Sequence, residues 1–270
     1  MMSEKDFEAM QESLEKYPFT SLTYTDYEDV DSYEIICNTE QLVLLCGYND
    51  TAKEFEYCWA AKSAEDVIDK IEKEKCFITF IPKEWTNTFE KASFSIRNIW
   101  HDYFKKNLDD VQNEVENAVR LRDEECLEAS EVTLSCRNQS RGFTGETAKF
   151  LCEWLSNCEE GDHNKTIFVE KNELGRIVGL VCTTTYAHDS EKGAIAWIRE
   201  VCVRPEYQNK GIARKLIMQA LSYGKAKGAK RAFLAADEMN DNAIHLYKSI
   251  GFEPSLEDGQ IDMIRETRPE

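Results

Sequence analysis

One segment of this chain constrains the fold more than any other: a strand pattern that runs directly into a helix through a polar turn. The apolar, β-rich run of residues 194–203 ends just before Pro205, and the helical pattern of residues 212–227 begins after Gly211. A helix that begins in this way presents unpaired backbone N–H groups, which bind phosphate well. Glycine also lets the backbone approach a ligand closely. The segment therefore predicts an α/β protein with an anion-binding loop between these two elements.

The second half of the chain is typical of a mixed sheet with helices on both faces. Strand-like patterns cover residues 131–136, 166–169, 177–186, 194–203, 231–236 and 260–266, and helical patterns cover residues 145–158, 212–227 and 240–250. Strands in hairpins followed by alternating strands and helices predict a mixed α/β architecture.

The first half contains a second set of strands and helices. Strand-like patterns cover residues 32–37, 42–46, 57–61 and 77–81, and helical patterns cover residues 63–75, 84–91 and 108–119. The composition changes between Asn107 and Ser130. This change places a domain boundary near Glu125, with domains at residues 1–125 and 126–270.

Two ordered motifs in the second half resemble a known family. Gln208-Asn-Lys-Gly-Ile-Ala213 is similar to the Gln/Arg-x-x-Gly-x-Gly/Ala loop of the GNAT superfamily of acyl-CoA-dependent N-acyltransferases. Asn240-Asp-Asn-Ala-Ile-His-Leu-Tyr247, followed by Gly251-Phe252, resembles the second signature of that family. The resemblance covers about residues 129–266 and implies a GNAT fold, acetyl-CoA as co-substrate and transfer of an acetyl group to an amine.

An internal similarity suggests that the first half is a degenerate copy of the same domain. Phe89-Glu-Lys-Ala-Ser-Phe94 has the aromatic spacing of Tyr247-Lys-Ser-Ile-Gly-Phe252, and each follows a strand and a short polar turn. The first half lacks the glycine loop, so we expect no CoA binding there.

The resemblance assigns cofactor contacts to three groups of residues. They are the strand that receives the pantetheine arm (Val201, Cys202 and Val203), the pyrophosphate loop (Gln208, Asn209, Lys210, Gly211, Ile212, Ala213 and Arg214) and the start of the next helix (Asn240 and Ala243). Ala213 stands where many members have glycine. Lys210 and Arg214 are alternatively solvated side chains, and Asn240 is alternatively a plain helix N-cap.

Two residues are candidates for proton transfer. Tyr247 matches the tyrosine that protonates the departing CoA thiolate in the family, and its alternative role is packing under its helix. Strand alternation predicts that Glu200 shares an apolar face with Ile198 and Cys202, where its raised pKa suits a general base. Alternatively, Arg199 and Glu200 are ordinary surface or salt-bridged residues. For Cys202, packing is favoured over a nucleophilic role.

The segment before the helical pattern of residues 145–158 is the candidate acceptor site. In the GNAT fold the connection between the first strand and the first helix lies over the acceptor. Arg141, Phe143 and Glu146 lie in this connection here. The alternative is purely structural, with glycines that turn the chain and a threonine that caps the helix.

Composition limits the remaining function classes. The formal net charge of −18 argues against general nucleic-acid binding and permits a cationic acceptor, such as a small-molecule or peptide amine. The ten cysteines and four histidines show no zinc spacing, so no metal site is expected. An N-terminus without an apolar core and the lack of a window of ~20 apolar residues predict a cytoplasmic protein that binds no membrane.

Several alternatives stay open at this level. The chain is alternatively a non-catalytic acetyl-CoA sensor, a transferase to a thiol or hydroxyl, or a transferase that uses a longer acyl-CoA. A homodimer is compatible with the class, but no residue specifies one.

Overall fold

The computed structural model describes residues 2–137, 139–156 and 164–266. These residues divide into two compact units. Unit 1 contains the residues up to Trp100 and those from Asp258 onward, and unit 2 is His101–Glu257. The predicted boundary near Glu125 lies inside unit 2. Both units combine strands with helices, so the predicted mixed α/β class is confirmed.

The elements of the described residues are numbered along the chain. The strands are β1 (Phe19–Thr20), β2 (Glu34–Asn38), β3 (Leu42–Asn49), β4 (Glu54–Ala61), β5 (Cys76–Ile81), β6 (Ser95–Lys105), β7 (Val119–Arg120), β8 (Thr166–Lys171), β9 (Ile177–Tyr186), β10 (Ile195–Val203), β11 (Arg231–Asp237), β12 (Glu253–Pro254) and β13 (Gln260–Arg265). The helices are α1 (Glu4–Glu12), α2 (Tyr27–Val30), α3 (Ala64–Ile68), α4 (Thr86–Lys91), α5 (Cys126–Leu134), α6 (Ala148–Ser156), α7 (Ile212–Ala226) and α8 (Asp241–Ile250). Short 3₁₀ turns cover Leu14–Lys16, Leu22–Tyr24, Lys83–Trp85, Val115–Asn117, Asp123–Glu125 and Pro205–Tyr207.

The sheet of unit 2 is antiparallel from β7 to β10 and parallel between β10 and β11. Helix α7 connects the parallel pair and buries an apolar stripe with helical spacing, which includes Leu216, Ile217 and Ala220. Gly224 allows α7 to approach β10 closely, because a Cβ atom at this position would lie 2.5 Å from that of Ala196. One apolar core therefore lies between α7 and the sheet.

A second apolar core of unit 2 involves α5 and α6. It joins Ala129 and Val132 of α5, Leu151 and Trp154 of α6, and Cys202 of β10. With the core at α7, unit 2 is covered by helices on both faces of its sheet, as the sequence predicts.

Unit 1 has the same order of paired strands as unit 2. Strands β2, β3 and β4 are antiparallel, and β4 and β5 are parallel, with α3 between them. Strand β13 lies between β5 and residues 95–100 of β6 and is antiparallel to both. Trp59, Ile78 and Phe89 belong to its core.

Several predicted elements are wrong. Residues 131–136, predicted as a strand, lie largely in helix α5, whose buried residues Ala129 and Val132 have helical spacing. The helix predicted over residues 108–119 is instead a 3₁₀ turn followed by β7. The helix predicted over residues 63–75 is limited to α3.

The predicted helix of residues 145–158 begins later, at Ala148, and ends at Ser156 within the described residues. Residue 158 lies outside the described residues. None of the helices in the described part of the chain combines the length and apolar character that a membrane crossing requires.

Candidate active site

The turn between β10 and α7 forms a loop with an open backbone. Asn209 and Gly211 both adopt positive φ angles, of 58° and 80°, and Gly211 is the N-cap of α7. Within the described residues, no acceptor receives a hydrogen bond from the backbone N–H groups of residues 209–214. A Cβ atom built on Gly211 would meet nothing within 4 Å. The loop therefore offers consecutive N–H groups and free space at the positive end of a helix dipole.

The strand that enters this loop has one open edge. Strands β10 and β11 pair only from Ile195↔Arg231 to Trp197↔Phe233, although both continue beyond these residues. On its other side, β10 stays paired with β9 as far as Val203. Among the described residues, the edge of residues 198–203 that faces β11 has no strand partner. An extended ligand can hydrogen-bond to such an edge.

The polar side chains of the loop make local contacts. The Gln208 side chain donates a hydrogen bond of 2.9 Å to the Val203 carbonyl, so it fixes the end of β10. Lys210 lies over the ring of Tyr207 at 4.8 Å, and Arg214 donates to the Ser249 hydroxyl. The loop thus has cationic side chains beside its N–H groups, and its shape is fixed by Gln208. Ile212 and Ala213 begin α7 and pack against the core beneath it.

A β-bulge in β10 changes which side chains share a face. Ile198 pairs with Thr183 and Glu200 with Cys182, so Arg199 is an extra residue in β10. Ile198 consequently packs in the core at α7, whereas Cys202 packs in the core at α5 and α6. The predicted common face is therefore wrong for Ile198, because simple alternation fails at the bulge, whereas Glu200 and Cys202 share a face as predicted.

Glu200 belongs to a charged cluster on the α6 side of the sheet. Arg199 Nη1 lies 3.4 Å from Glu200 Oε1 and 2.6 Å from Glu146 Oε1. The Arg199 guanidinium also lies 4.2 Å from the centroid of the Phe150 ring. Arg199 is thus positioned by the Glu146 carboxylate and the Phe150 ring, and it lies between Glu146 and Glu200.

Burial determines the protonation behaviour of this cluster. It raises the pKa of Glu200 to about 8, although the nearby Arg199 lowers it, and the Glu146 and Cys136 side chains raise it further. A carboxyl group with such a pKa is suited to accept a proton near neutral pH. A hydrogen bond with Cys136 and burial raise the pKa of the Cys202 thiol well above its ordinary value. The raised pKa keeps this buried thiol protonated, which agrees with the packing role that the sequence favours for Cys202.

Tyr247 lies on α8 with its ring against Tyr103 and Phe252, at centroid distances of 6.4 and 6.3 Å. Its ring is thus packed as the structural alternative predicts. In the described part of the chain its hydroxyl makes no hydrogen bond, and the side chain is buried. Burial, together with the nearby Cys202 and Glu200, raises the pKa of Tyr247, so the phenol keeps its proton at neutral pH.

The start of α8 is capped by Asn240. Its side chain accepts a hydrogen bond of 3.3 Å from the Ala243 backbone N–H. The N-cap role given as the structural alternative for Asn240 is therefore present, and Ala243 is half-buried against the core at α7.

The loop of Arg141 connects α5 with α6, so the expectation that it follows a strand is wrong. Arg141 binds the buried Asp237 carboxylate through two hydrogen bonds of 2.7 and 3.0 Å and contacts Glu238 at 3.3 Å. Phe143 packs against the core at α5 and α6. Of the three predicted acceptor residues, the structure brings Glu146 to Glu200, whereas Arg141 reaches the end of β11.

Comparison with known proteins identifies the domain that holds this site. The model of the acetyltransferase (GNAT) family matches residues 123–252. Residues 123–252, here called the GNAT domain, are therefore similar to a GNAT acetyltransferase domain. The match contains the glycine loop, Glu200 and Tyr247, and it ends at Phe252.

Curated relatives of the GNAT domain match over part of their length. An uncharacterised N-acetyltransferase of Methanocaldococcus jannaschii is 33% identical over 107 residues, which cover 39% of this chain and 45% of that protein. A mycothiol acetyltransferase of Thermobispora bispora is 31% identical over 86 residues, which cover 32% of this chain and 29% of that protein. A spermidine N(1)-acetyltransferase of Vibrio cholerae is 30% identical over 112 residues, which cover 40% of this chain and 60% of that protein. The chain thus spans less than two thirds of the length of each of these relatives.

Solved structures share the fold over a larger part of the chain. A GCN5-related N-acetyltransferase from Sphaerobacter thermophilus has a TM-score of 0.56 at 14% identity. The matched region covers 84% of this chain and 77% of that protein chain. A functionally unknown conserved protein from Staphylococcus epidermidis has a TM-score of 0.53 at 14% identity. This match covers 91% of this chain and 99% of that protein chain. The predicted GNAT fold is thereby confirmed.

Two residues of the candidate site are not identified by the sequence patterns. Arg199, an ordinary surface or salt-bridged residue by its pattern, joins two predicted carboxylates. Asp237, which binds Arg141, directly follows the predicted strand of residues 231–236 and is the last residue of β11. Its position at the carboxyl end of a central parallel strand, where ligands bind in α/β sheets, was the available signal.

Proposed function

We propose that this protein is an acetyl-CoA-dependent N-acetyltransferase whose reaction takes place beside the open edge of β10. The observation that carries the proposal is the row of backbone N–H groups at residues 209–214 that lack acceptors among the described residues. Such a row at a helix N-terminus fits a pyrophosphate, and the free space above Gly211 leaves room for it. The open edge of residues 198–203 fits an extended pantetheine arm. When bound, acetyl-CoA supplies an activated thioester.

In this mechanism two side chains of the domain move protons. Glu200 accepts a proton from the acceptor ammonium, directly or through water, which frees the amine nitrogen to attack the thioester carbon. Backbone N–H groups on the open edge of β10 stabilise the oxygen that becomes negative. The C–N bond forms, the C–S bond breaks, and the Tyr247 hydroxyl protonates the departing sulfur. The proton that the new amide nitrogen loses returns to the Tyr247 oxygen, which restores the phenol.

We infer that the acceptor is the primary amine of a small molecule or peptide. The names of several relatives support an amine acceptor, since they include a spermidine N(1)-acetyltransferase of Escherichia coli and a thialysine N-epsilon-acetyltransferase of Bos taurus. The charged cluster supports it as well, because Glu200 lies on β10 beside the open strand edge and its raised pKa suits removal of a proton from an ammonium group.

We further propose that unit 1 is a degenerate copy of the GNAT domain that does not bind CoA. The repeated strand order, with parallel β4 and β5 joined through α3, supports the copy. At the start of α3 the Ser63 side chain accepts a hydrogen bond from the Asp66 N–H, and the first turn carries two carboxylates. These features occupy the helix start and oppose an anion there.

The proposal is tested by calorimetry with acetyl-CoA on the wild type and on Gly211→Trp. The matched control is Gly175→Trp, because Gly175 also has a positive φ, of 77°, and open space around it. We expect binding by the wild type and the control, and at least a tenfold loss in Gly211→Trp (about 1.4 kcal/mol). CoA release that depends on an added amine would support catalysis.

Two other outcomes contradict the proposal. Absence of binding by the wild type refutes the assignment of acetyl-CoA. Binding without CoA release on any primary amine favours a non-catalytic acetyl-CoA sensor instead.

A further inference from the structure

We propose that the acceptor is a primary amine joined by a short arm to a flat apolar ring, and that this ring binds to four aromatic side chains of unit 2. These side chains, Phe104, Tyr186, Trp197 and Phe233, are here called the aromatic shelf. The inference rests on the proposed function, since it assigns the acceptor of the same reaction.

The aromatic shelf is a continuous group of rings on neighbouring strands. The Phe233 ring is nearly parallel to that of Trp197, at a centroid distance of 5.9 Å and an angle of 7°. It also stacks on Phe104 at 5.8 Å and meets the Tyr186 ring edge-on at 6.1 Å. The register agrees with this grouping, because Trp197 pairs with Phe233 and Tyr186 pairs with Ile195, two residues before Trp197. These side chains therefore lie on one face of the sheet.

Three of the four rings of the aromatic shelf are not needed to complete a core, whereas Trp197 also packs against the core at α5 and α6. On the opposite face of the same strands, Ala196 and Ala232 are fully buried in the core at α7. Phe104, Tyr186 and Phe233 belong to none of the apolar cores that the described residues form. Tyr186 is 43% exposed, and the other three rings are half-buried. A contiguous aromatic surface that contacts solvent is typical of a ligand site.

A series of side-chain contacts connects the aromatic shelf with the candidate base Glu200. The Trp197 ring packs edge-on against Trp154 at 6.0 Å, and Trp154 contacts Phe150 at 5.9 Å. The Phe150 ring in turn packs against the Arg199 guanidinium, which contacts Glu200. Along β10, Trp197 precedes Glu200 by three residues, a separation of about 10 Å at most. A ring on the shelf with an arm of a few carbon atoms thus brings its amine to Glu200.

The charges around the site favour this acceptor over a polyamine. A polyamine has several ammonium groups, each of which is best bound by a carboxylate that is not already paired. Here Glu146 is bound to Arg199 at 2.6 Å, and Asp237 is bound to Arg141 at 2.7 Å. Glu200 also contacts Arg199, but at 3.4 Å, so it is the least closely paired of these three carboxylates. A single ammonium at Glu200 and an apolar body on the rings match this arrangement better.

The test compares CoA release from acetyl-CoA with four amines: 2-phenylethylamine, tryptamine, ethylamine and spermidine. We expect kcat/KM for the two aryl amines to exceed that for ethylamine and spermidine by about tenfold or more, since contacts with aromatic rings contribute this much. Phe233→Leu and Tyr186→Ser should lower the ratio of kcat/KM for 2-phenylethylamine to that for ethylamine by about three- to tenfold. Partial misfolding lowers both values equally and leaves the ratio unchanged.

Tyr48→Ser is the control, because Tyr48 is an exposed aromatic residue of unit 1. For this variant, the ratio of kcat/KM for 2-phenylethylamine to that for ethylamine should equal the wild-type ratio. A preference for spermidine, or a ratio that neither shelf variant changes, overturns this inference while the proposed function stands. If the wild type binds acetyl-CoA and acetylates no amine, or does not bind it, the proposed function and this inference both fail.

Discussion

The Glu200→Gln variant tests whether the fold really buries an ionisable carboxyl group beside the open edge of β10. The pKa of Glu200 rises from 4.5 to about 8 on folding. Between these two values the folded state binds the Glu200 proton more tightly than the unfolded chain does. The free energy of unfolding therefore falls as the pH rises through this window. Glutamine does not titrate, so the variant lacks this contribution.

The size of the effect follows from the same pKa values. At about 1.36 kcal/mol per pKa unit, ionisation of Glu200 lowers the free energy of unfolding by about 2 kcal/mol at pH 6 and by about 5 kcal/mol at pH 9. The difference between wild type and variant should therefore grow by about 3 kcal/mol between these pH values. For a chain of this size, that change corresponds to roughly 5–12 °C in Tm.

The assay is scanning calorimetry of both proteins at pH 6 and pH 9. The charged contact with Arg199 forms only as Glu200 ionises, and its effect is already contained in the pKa of about 8, so the comparison needs no separate correction for it. Glu206→Gln is the control, because Glu206 is exposed, and it should show no change in the difference with pH. If the Tm difference for Glu200→Gln is the same at pH 6 and pH 9, Glu200 is not a buried group with a raised pKa, and its assignment as the base loses its physical support.

Three further substitutions test other contacts of the site. Tyr247→Phe should lower kcat for amine acetylation by about a hundredfold, with the Kd for acetyl-CoA unchanged in calorimetry; an unchanged kcat would exclude Tyr247 as the acid. Asn240→Ala should lower the free energy of unfolding in urea by about 1 kcal/mol, whereas Asn240→Asp, which keeps the cap, should not. Arg141→Gln removes the cation that binds the buried Asp237 and should cost about 3 kcal/mol in the same assay; a loss below about 0.5 kcal/mol would show that the pair contributes little.

Much of the GNAT domain was predictable because its central elements are locally consistent. Strand β9 and helix α7 carry continuous apolar patterns bounded by turn residues, and Gly211 separates β10 from α7 with the backbone conformation that glycine favours. The N-cap of α8 at Asn240 was also given as an alternative. Such patterns depend on neighbouring residues only, so one sequence is sufficient to recognise them.

Other features depend on contacts that are distant in sequence. In α5, residues 131–136 alternate apolar and polar side chains, as in a strand, but packing against α6 and β9 stabilises a helix. The segment around Val111 is fixed by the side chain of Lys225, which donates hydrogen bonds to the carbonyls of Asp109 and Val111. The bulge at Arg199 leaves no mark in the local pattern, so the cluster around Glu200 could not be assembled from the sequence.

The divergence of β10 from β11 gives the protein a stability that depends on its ligand supply. An unpaired strand edge exchanges its amide protons readily and is a template for pairing with another chain. A ligand that occupies this edge in the folded state alone adds its binding free energy to the free energy of unfolding, about 2.7 kcal/mol at a concentration one hundred times its Kd. A cell with abundant ligand would therefore contain a chain that resists proteolysis and aggregation. When the ligand becomes scarce, the same gap in the sheet becomes the first place where the fold opens.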